Sequence, residues 1–110
     1  SEKLTAIVDR TKSGGGELVK LMGTSAWYAP GAAAAQMVEA IVKNESRIYP
    51  VCAHLTGEYG LKDVFVGVPV RMSKNGIEDI IELKLNKDEM QLLNDSAAAV
   101  KEVMDVFDKM

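Results

Sequence analysis

The amino-acid sequence predicts an α+β domain in which antiparallel strands pack with helices. Apolar residues recur at helical spacing in residues 4–41 and again in residues 86–107. Between these regions, every second residue from Val64 to Met72 is valine or methionine, and an Asn-Gly turn follows. The 110 residues contain no internal repeat and no low-complexity linker, so one core is expected.

The first helical region is interrupted by Gly14-Gly15-Gly16. Each glycine in a helix interior costs about 1 kcal/mol relative to alanine, so we expect two helical segments that meet at a kink or break. Ser13 is then a candidate cap of the second segment. The glycines have two open interpretations: a flexible joint, or room for a neighbouring loop or a ligand to approach closely. The apolar residues on the two sides are Leu4, Ile7, Val8, Leu18, Leu21 and Met22.

A turn with the only tryptophan of the chain delivers the second helix. Pro30 suits a first helical turn because its φ is already helical and its missing N–H is not needed there. We therefore expect the helix to start between Tyr28 and Gly31 and to stop at the polar residues 43–46. Residues 32–35 are four alanines. Such a run favours a helix, and it also lets another group approach the backbone closely.

The middle of the chain predicts three strands. Residues 47–55 are rich in strand formers, and Pro50 places this strand at a sheet edge or marks its irregular start. The alternating residues 64–72, the turn Asn75-Gly76 and the apolar positions that follow predict an antiparallel hairpin. Asp79 falls in register with the apolar positions, which a bulge or a strand edge would explain. The apolar positions after the turn are Ile77, Ile81, Leu83 and Leu85.

A long helix is predicted at the C-terminal end. Asn86 is a candidate N-cap, and Glu89 three residues later completes a capping box. The apolar residues then follow at three- and four-residue steps, so one face of the helix must pack on the sheet or on another helix. They are Met90, Leu93, Ala97, Val100, Met104 and Phe107.

Composition restricts the partners and the compartment. The chain is 47% hydrophobic and 26% charged with a net charge of -3, so it lacks the basic field that attracts nucleic acid or an anionic membrane. Cys52 is the only cysteine, which fits a reducing, cytoplasmic compartment. Neither a secretory signal nor a membrane-spanning segment is predicted.

The residues alone do not form a complete active site. Cys52 and His54 are two residues apart on one predicted strand and therefore share a face. A nucleophilic pair is conceivable, but a structural histidine and an inert cysteine are much commoner. Gly14-Gly15-Gly16 lacks the preceding strand and the following Gly-Lys-Ser/Thr of a phosphate-binding loop. No Cys/His spacing suits zinc, and no metal is expected.

Several ordered motifs nevertheless resemble the C-terminal part of the malate dehydrogenases, in the NAD-dependent branch close to lactate dehydrogenase. The similarity runs from end to end. The motifs are Asp-Arg-Thr-Lys-Ser-Gly-Gly-Gly-Glu at 9–17, Gly-Thr-Ser-Ala-Trp-Tyr-Ala-Pro-Gly at 23–31, Tyr-Pro-Val-Cys at 49–52, Gly-Glu-Tyr-Gly-Leu-Lys-Asp at 57–63, Val-Phe-Val-Gly-Val-Pro-Val at 64–70 and Asn-Gly-Ile-Glu at 75–78.

The resemblance implies that residues 1–110 are a single partial domain, the C-terminal half of a substrate domain, without the N-terminal nucleotide-binding domain. It implies a homo-oligomeric oxidoreductase of the tricarboxylic acid cycle that interconverts malate and oxaloacetate with NAD. The family's catalytic histidine lies in a Gly-His-Gly-Asp-like motif that this sequence lacks, and His54 does not inherit its role. Arg10, Arg47 and Arg71 do not match the family's substrate-binding arginines, so the chain alone is expected to be inactive and to bind NAD weakly.

What the resemblance assigns to this chain is one wall of the active site. Ser25 and Ala26 are expected to border the substrate and the nicotinamide, Pro30 to lie on the nicotinamide side, and Gly15 and Gly16 to lie beneath a closing loop. Two alternatives remain at this point. The chain could belong to a lactate or other 2-hydroxy-acid dehydrogenase, or it could be a stand-alone oligomerisation module.

Overall fold

A computed structural model describes residues 2–110, which form three α-helices and one three-stranded antiparallel sheet. The α+β class is confirmed. The chain divides into two compact units, the first ending at Val38 and the second beginning at Glu39. The elements in chain order are α1 (Glu2–Met22), α2 (Tyr28–Val42), β1 (Arg47–Thr56), a 3-10 turn (Glu58–Gly60), β2 (Lys62–Ser73), β3 (Gly76–Ile80) and α3 (Lys87–Phe107).

Helix α1 runs through the three glycines without a break, so the prediction of two segments is wrong. Ser13 is not a cap, because its hydroxyl donates back along the helix to the carbonyl oxygens of Asp9 and Arg10, each at 3.2 Å. An ion pair crosses the glycines: Arg10 Nη2 lies 3.2 Å from Glu17 Oε1. Each residue added to a helix contributes one more backbone hydrogen bond. The 21-residue helix therefore includes three glycines despite the free energy that each of them costs.

Nothing else in the described part of the chain uses the space that these glycines leave. A Cβ atom built on Gly14, Gly15 or Gly16 would meet no neighbouring atom within 4 Å. Helix α1 ends at Met22, directly before Gly23. The φ of Gly23 is 70°, in the left-handed region, and its N–H donates to the Val19 carbonyl at 2.9 Å. Gly23 is therefore the glycine of this region whose conformation the fold requires.

The substitution Gly14→Ala is expected to stabilise α1 by about 0.5–1 kcal/mol, because alanine removes the entropic cost of glycine and its Cβ meets no obstacle. The matched control is Gly23→Ala, which is expected to be destabilising because alanine is strained at a positive φ. Thermal unfolding followed by far-UV circular dichroism compares the two variants. A loss of stability in Gly14→Ala would contradict a continuous helix.

The sheet has the strand order β1-β2-β3, which confirms the predicted hairpin and places β1 at an edge. Strand β1 pairs along β2 with Pro50 opposite Pro69, and the register shifts between Leu55 and Thr56. Strand β2 pairs with β3, with Val70 opposite Ile80 and a second shift between Arg71 and Met72. This second shift lies beside Asp79, the partner of Arg71, and β3 is also an edge strand, so the predicted explanation of Asp79 by a bulge or a strand edge is confirmed.

Strand β3 is shorter than the apolar alternation predicts, because it ends at Ile80 rather than continuing to Leu85. The last backbone bond to β2 runs from Ile81 N–H to the Pro69 carbonyl at 2.8 Å, and proline has no N–H with which to extend the ladder. The hydroxyl of Tyr59 then donates to the Ile81 carbonyl at 2.7 Å and accepts from Leu83 N–H at 2.9 Å. The Tyr59 side chain thus makes the hydrogen bonds that these backbone groups would otherwise make with a neighbouring strand.

The core of the second unit lies on one face of β2, where alternate residues are buried and α3 packs against the strand. Helix α3 starts as predicted: Glu89 N–H donates to Asn86 Oδ1 at 2.9 Å, and Asn86 N–H donates to Glu89 Oε2 at 2.8 Å. The buried apolar residues are Ala40, Ala53, Leu55, Tyr59, Val64, Val66, Val68, Val70, Met72 and Ala97.

Candidate functional site

A shallow depression of about 590 Å³ lies in the first unit, between the second half of α1, the following loop and the start of α2. Its lining is small and apolar apart from one hydroxyl, that of Ser25. The lining residues are Gly15, Leu18, Val19, Ser25, Ala26, Ala29, Pro30 and Ala33.

Local sequence explains how the chain builds this depression. The left-handed Gly23 ends α1 and turns the chain into the short loop that carries Ser25 and Ala26. Helix α2 then begins at Tyr28, with Pro30 in its first turn as predicted. The first bond of this helix runs from Gly31 N–H to the Trp27 carbonyl at 2.8 Å. The loop and the first turns of α2 therefore present their small residues side by side.

Four of the five residues expected in the wall, Gly15, Ser25, Ala26 and Pro30, lie together in this depression. Gly16 lies apart from them in a more polar depression of about 490 Å³, which also contains Lys12, Ser13, Glu17 and Lys20. Successive residues of an α-helix point about 100° apart, and Gly15 and Gly16 therefore lie on different faces of α1.

Four lining residues were missed in the sequence analysis: Leu18, Val19, Ala29 and Ala33. Leu18 and Val19 follow Gly15 by three and four residues, and Ala29 and Ala33 are four residues apart on α2. Residues at these spacings share one helix face. The helical period was therefore the signal that could have found them, once Gly15 was taken as part of a continuous helix.

The chemistry of the lining is suited to contact with a flat or reacting group rather than to proton transfer. None of the eight lining side chains carries a charge, and the Ser25 hydroxyl is the one side-chain group there that can donate or accept a hydrogen bond. Small residues allow a partner to approach the backbone closely, and reacting atoms must come within about 3–3.5 Å of each other. The lining presents small apolar groups and one hydroxyl to an approaching group, and it has no cation that could bind a phosphate.

The Cys52 and His54 side chains both lie on the exposed face of β1, as the two-residue spacing predicts. The His54 ring stacks at a tilt on Phe65, with ring centroids 5.0 Å apart. Its Nε2 atom is 3.9 Å from Asp63 Oδ1, a long contact between two exposed groups. Asp63 has a φ of 54° and lies at the irregularity in the β1–β2 register. This histidine therefore has contacts along the sheet surface and lies outside the depression.

The Glu58 carboxylate is held by the turn in which it lies. Hydrogen bonds from its own backbone N–H and from the Thr56 N–H, the latter at 2.7 Å, lower the pKa of Glu58. A third bond comes from the Gly57 N–H at 3.1 Å. Because all of these donors belong to residues 56–58, we assign Glu58 to turn stabilisation rather than to acid–base chemistry.

Residues 2–110 contain no group of three or more His, Cys, Asp or Glu side chains that could hold a metal ion. None of the three helices is long and apolar enough to cross a membrane.

The fold is that of a known protein family. A family model described as the lactate/malate dehydrogenase alpha/beta C-terminal domain matches residues 1–109. The chain belongs to the lactate/malate dehydrogenase family. The family resemblance inferred from the motifs is thus confirmed, and the α+β fold is that of the family's C-terminal domain.

Relatives in this family are similar over nearly the whole chain. The malate dehydrogenase of Cytophaga hutchinsonii is 66% identical over 108 residues, which are 98% of this chain and 35% of that protein. The malate dehydrogenase of Salinibacter ruber has a solved structure that is 51% identical, with a TM-score of 0.96, and the match covers 99% of this chain and 36% of that one. The chain spans about a third of the length of these relatives.

The lactate dehydrogenases of the family share the same domain. The Cryptosporidium parvum enzyme, solved in complex with lactic acid and nicotinamide adenine dinucleotide, is 36% identical with a TM-score of 0.94. That match covers 99% of this chain and 35% of the lactate dehydrogenase. The fold by itself is therefore common to enzymes that act on malate and on lactate.

Proposed function

We propose that this chain is the C-terminal part of the substrate domain of an NAD-dependent malate dehydrogenase. The complete enzyme interconverts malate and oxaloacetate in the tricarboxylic acid cycle, in the cytoplasm, and its nucleotide-binding domain lies outside these residues. The observation that carries the proposal is the 66% identity to the malate dehydrogenase of Cytophaga hutchinsonii along almost the entire chain. The small-residue depression supports it, because it contains four of the five residues that the family resemblance assigns to the active-site wall.

In this proposal the depression forms one side of the space in which substrate and nicotinamide meet. Ser25 and Ala26 border both groups, and Pro30 lies on the nicotinamide side. Gly15 and Gly16 both lie beneath the closing loop. Gly15 is part of the depression, and Gly16 lies on the adjacent face of α1. Bound NAD supplies the hydride acceptor, while these residues shape and desolvate one face of the site. They include no charged group that would hold the phosphates, and the isolated chain therefore binds NAD weakly.

A lactate or other 2-hydroxy-acid dehydrogenase is the second candidate. The likeness to the Cryptosporidium parvum lactate dehydrogenase favours it, with a TM-score of 0.94. Malate dehydrogenase remains the better supported function because the identity to that lactate dehydrogenase is 36%, against 66% for the Cytophaga enzyme.

A chimeric enzyme tests the proposal. Residues 1–110 replace the matching C-terminal segment of the Cytophaga hutchinsonii malate dehydrogenase, and oxaloacetate-dependent oxidation of NADH is measured by absorbance. We expect a kcat/KM of the same order as that of the unmodified enzyme, because the exchanged segments are 66% identical and include the same wall. A chimera that folds and binds NADH but lacks turnover would contradict the proposed function.

The 110-residue chain alone is the control in the same assay. We expect no turnover above the rate without protein, because the family's catalytic histidine motif is not in the sequence. Turnover by the chain alone would contradict its assignment as a wall of a larger site.

A homo-oligomer is the assembly we propose, and the surface of α1 supports it. None of the described residues of this helix is buried, although the helix carries a row of large apolar side chains. Leu4 is 63% exposed, Ile7 62% and Leu21 76%. Apolar surface of this extent is typical of a protein interface, and it also keeps the oligomerisation module as an alternative role. Light scattering on the chimera and on the chain tests the association: multiples of each subunit mass are expected, and a clean monomer would count against both roles.

A further inference from the structure

The turn between β2 and β3 contains Asn75, which is followed by Gly76 at the start of β3. Lys74 and Asn75 form the two-residue turn, and Ser73 is paired with Gly76 across it. Asn75 is exposed. Gly76 has a φ of 86°, and a Cβ atom built there would meet nothing within 4 Å. Gly76 therefore has no side chain that would hinder the approach of its backbone nitrogen to the Asn75 side chain.

We propose that Asn75 is a site of spontaneous deamidation, a modification that needs water alone as co-reactant. The Gly76 nitrogen loses its proton to solvent and attacks Cγ of Asn75, and the new N–Cγ bond forms. The Cγ–Nδ2 bond then breaks as Nδ2 takes up a proton from solvent, and ammonia is released. Water then adds to one of the two carbonyl groups of the resulting five-membered succinimide. Opening gives either an aspartate or an isoaspartate, and no electrons are gained or lost.

The surroundings of Asn75 show what the modification changes. Asn75 Nδ2 donates to Glu78 Oε1 at 3.2 Å. The other oxygen of Glu78 pairs with Arg71, whose Nε also donates to Asp79 Oδ2 at 2.8 Å. The Arg71 guanidinium therefore already pairs with two carboxylates, those of Glu78 and Asp79. Deamidation removes the donor at position 75 and puts a third carboxylate in its place, so a hydrogen bond becomes a repulsion between like charges.

An isoaspartate has a second consequence, because it adds one atom to the backbone of the turn. A two-residue turn fixes the register of its strands, and the lengthened turn no longer matches the pairing of Ser73 with Gly76. We therefore expect the modified hairpin to be less stable than the original one.

The chain supplies its own controls. The other asparagines are Asn44, Asn86 and Asn94, and they are followed by glutamate, lysine and aspartate, whose side chains hinder the attack. Asn44 Oδ1 accepts from the Ser73 hydroxyl, and Asn86 Oδ1 accepts from Glu89 N–H. Asn94 lies within α3, whose helical backbone is held by hydrogen bonds.

The test is incubation of the full chain in neutral and mildly alkaline buffer, followed by peptide mapping with mass spectrometry. We expect the peptide with Asn75 to gain about 1 Da at least about tenfold faster than the other asparagine peptides, and faster at the higher pH. Asn75→Gln is the matched control, because it keeps the amide and closes a larger ring far more slowly. Equal rates at all four asparagines, or protection of Asn75 in the folded chain compared with the chain in urea, would overturn the proposal.

The consequence for the hairpin is measured with Asn75→Asp, alone and combined with Glu78→Gln. Asn75→Asp is expected to lower the thermal midpoint, and Glu78→Gln is expected to reduce that shift because it removes the repelling carboxylate. An unchanged shift in the double variant would contradict the role given to Glu78.

Discussion

Replacing Ala26 with leucine in the Cytophaga chimera is expected to lower kcat/KM for oxaloacetate by about 100-fold, since a misplacement of about 1 Å at reacting atoms can cost that much. Ala26 lines the depression beside Ser25 and is half-buried, so the three additional carbons of leucine extend into the space proposed for substrate and nicotinamide. Steady-state kinetics with varied oxaloacetate and NADH measure the effect.

The matched control is Ala35→Leu in the same chimera. Ala35 is exposed, lies outside the depression and is two residues beyond Ala33, which places it on the opposite face of α2. We expect its kcat/KM to stay close to that of the unsubstituted chimera. Far-UV circular dichroism verifies that both variants fold. Equal kinetics in the two variants would show that the depression is not a wall of the active site.

Replacing Leu55 with alanine is expected to lower the free energy of unfolding by about 2–5 kcal/mol, the range for removing a large side chain from a packed core. Leu55 has no exposed surface, and its partner Val64 on β2 is equally buried. The cavity left by the substitution has walls on the paired strands β1 and β2, so it has little freedom to collapse. Urea unfolding of the 110-residue chain, followed by circular dichroism, measures the loss.

Leu83→Ala is the control for this core variant. Leu83 is 52% exposed, and the same deletion of carbons therefore removes less buried surface and leaves no enclosed cavity. Its effect is expected to be less than half that of Leu55→Ala. If the two variants lost the same stability, the sheet face of β2 would not be the core of the second unit.

The predictions that held were those in which a local signal and the tertiary structure agree. The alternation of Val64 to Met72 matches a strand with one buried face, and Asn86 with Glu89 gives the capping box that starts α3. These signals involve residues close in sequence, and their partners are specified by spacing alone. Tertiary contacts reinforce them rather than compete with them.

The predictions that failed needed information from distant residues or from a summed energy. The break at Gly14-Gly15-Gly16 was inferred from a local penalty, while helix formation is cooperative over all 21 residues of α1. The length of β3 was inferred from alternation, but its ladder stops where Pro69 offers no donor and the Tyr59 hydroxyl takes over the backbone groups. Neither Pro69 nor Tyr59 belongs to β3, so the apolar alternation of β3 could not indicate that these residues end its pairing.

The candidate site depended on the family resemblance rather than on residue chemistry. Glycine, alanine and proline carry no side-chain group that takes part in acid–base or nucleophilic chemistry, and a wall made of them gives no catalytic signature. Physical patterns alone gave the turn and the helix start, and the resemblance supplied their role. Neither the physical patterns nor the resemblance separated Gly15 from Gly16, which are adjacent in sequence but lie on different faces of one helix.

The facing prolines Pro50 and Pro69 have a consequence for how copies of this chain meet. Neither can donate to the other, so they occupy a pair of the ladder that is not hydrogen-bonded, and the nitrogen of Pro50 lies on the open side of β1. An incoming strand would find no donor in the middle of that ten-residue edge. Pro50 thus weakens this edge as a template for a further strand.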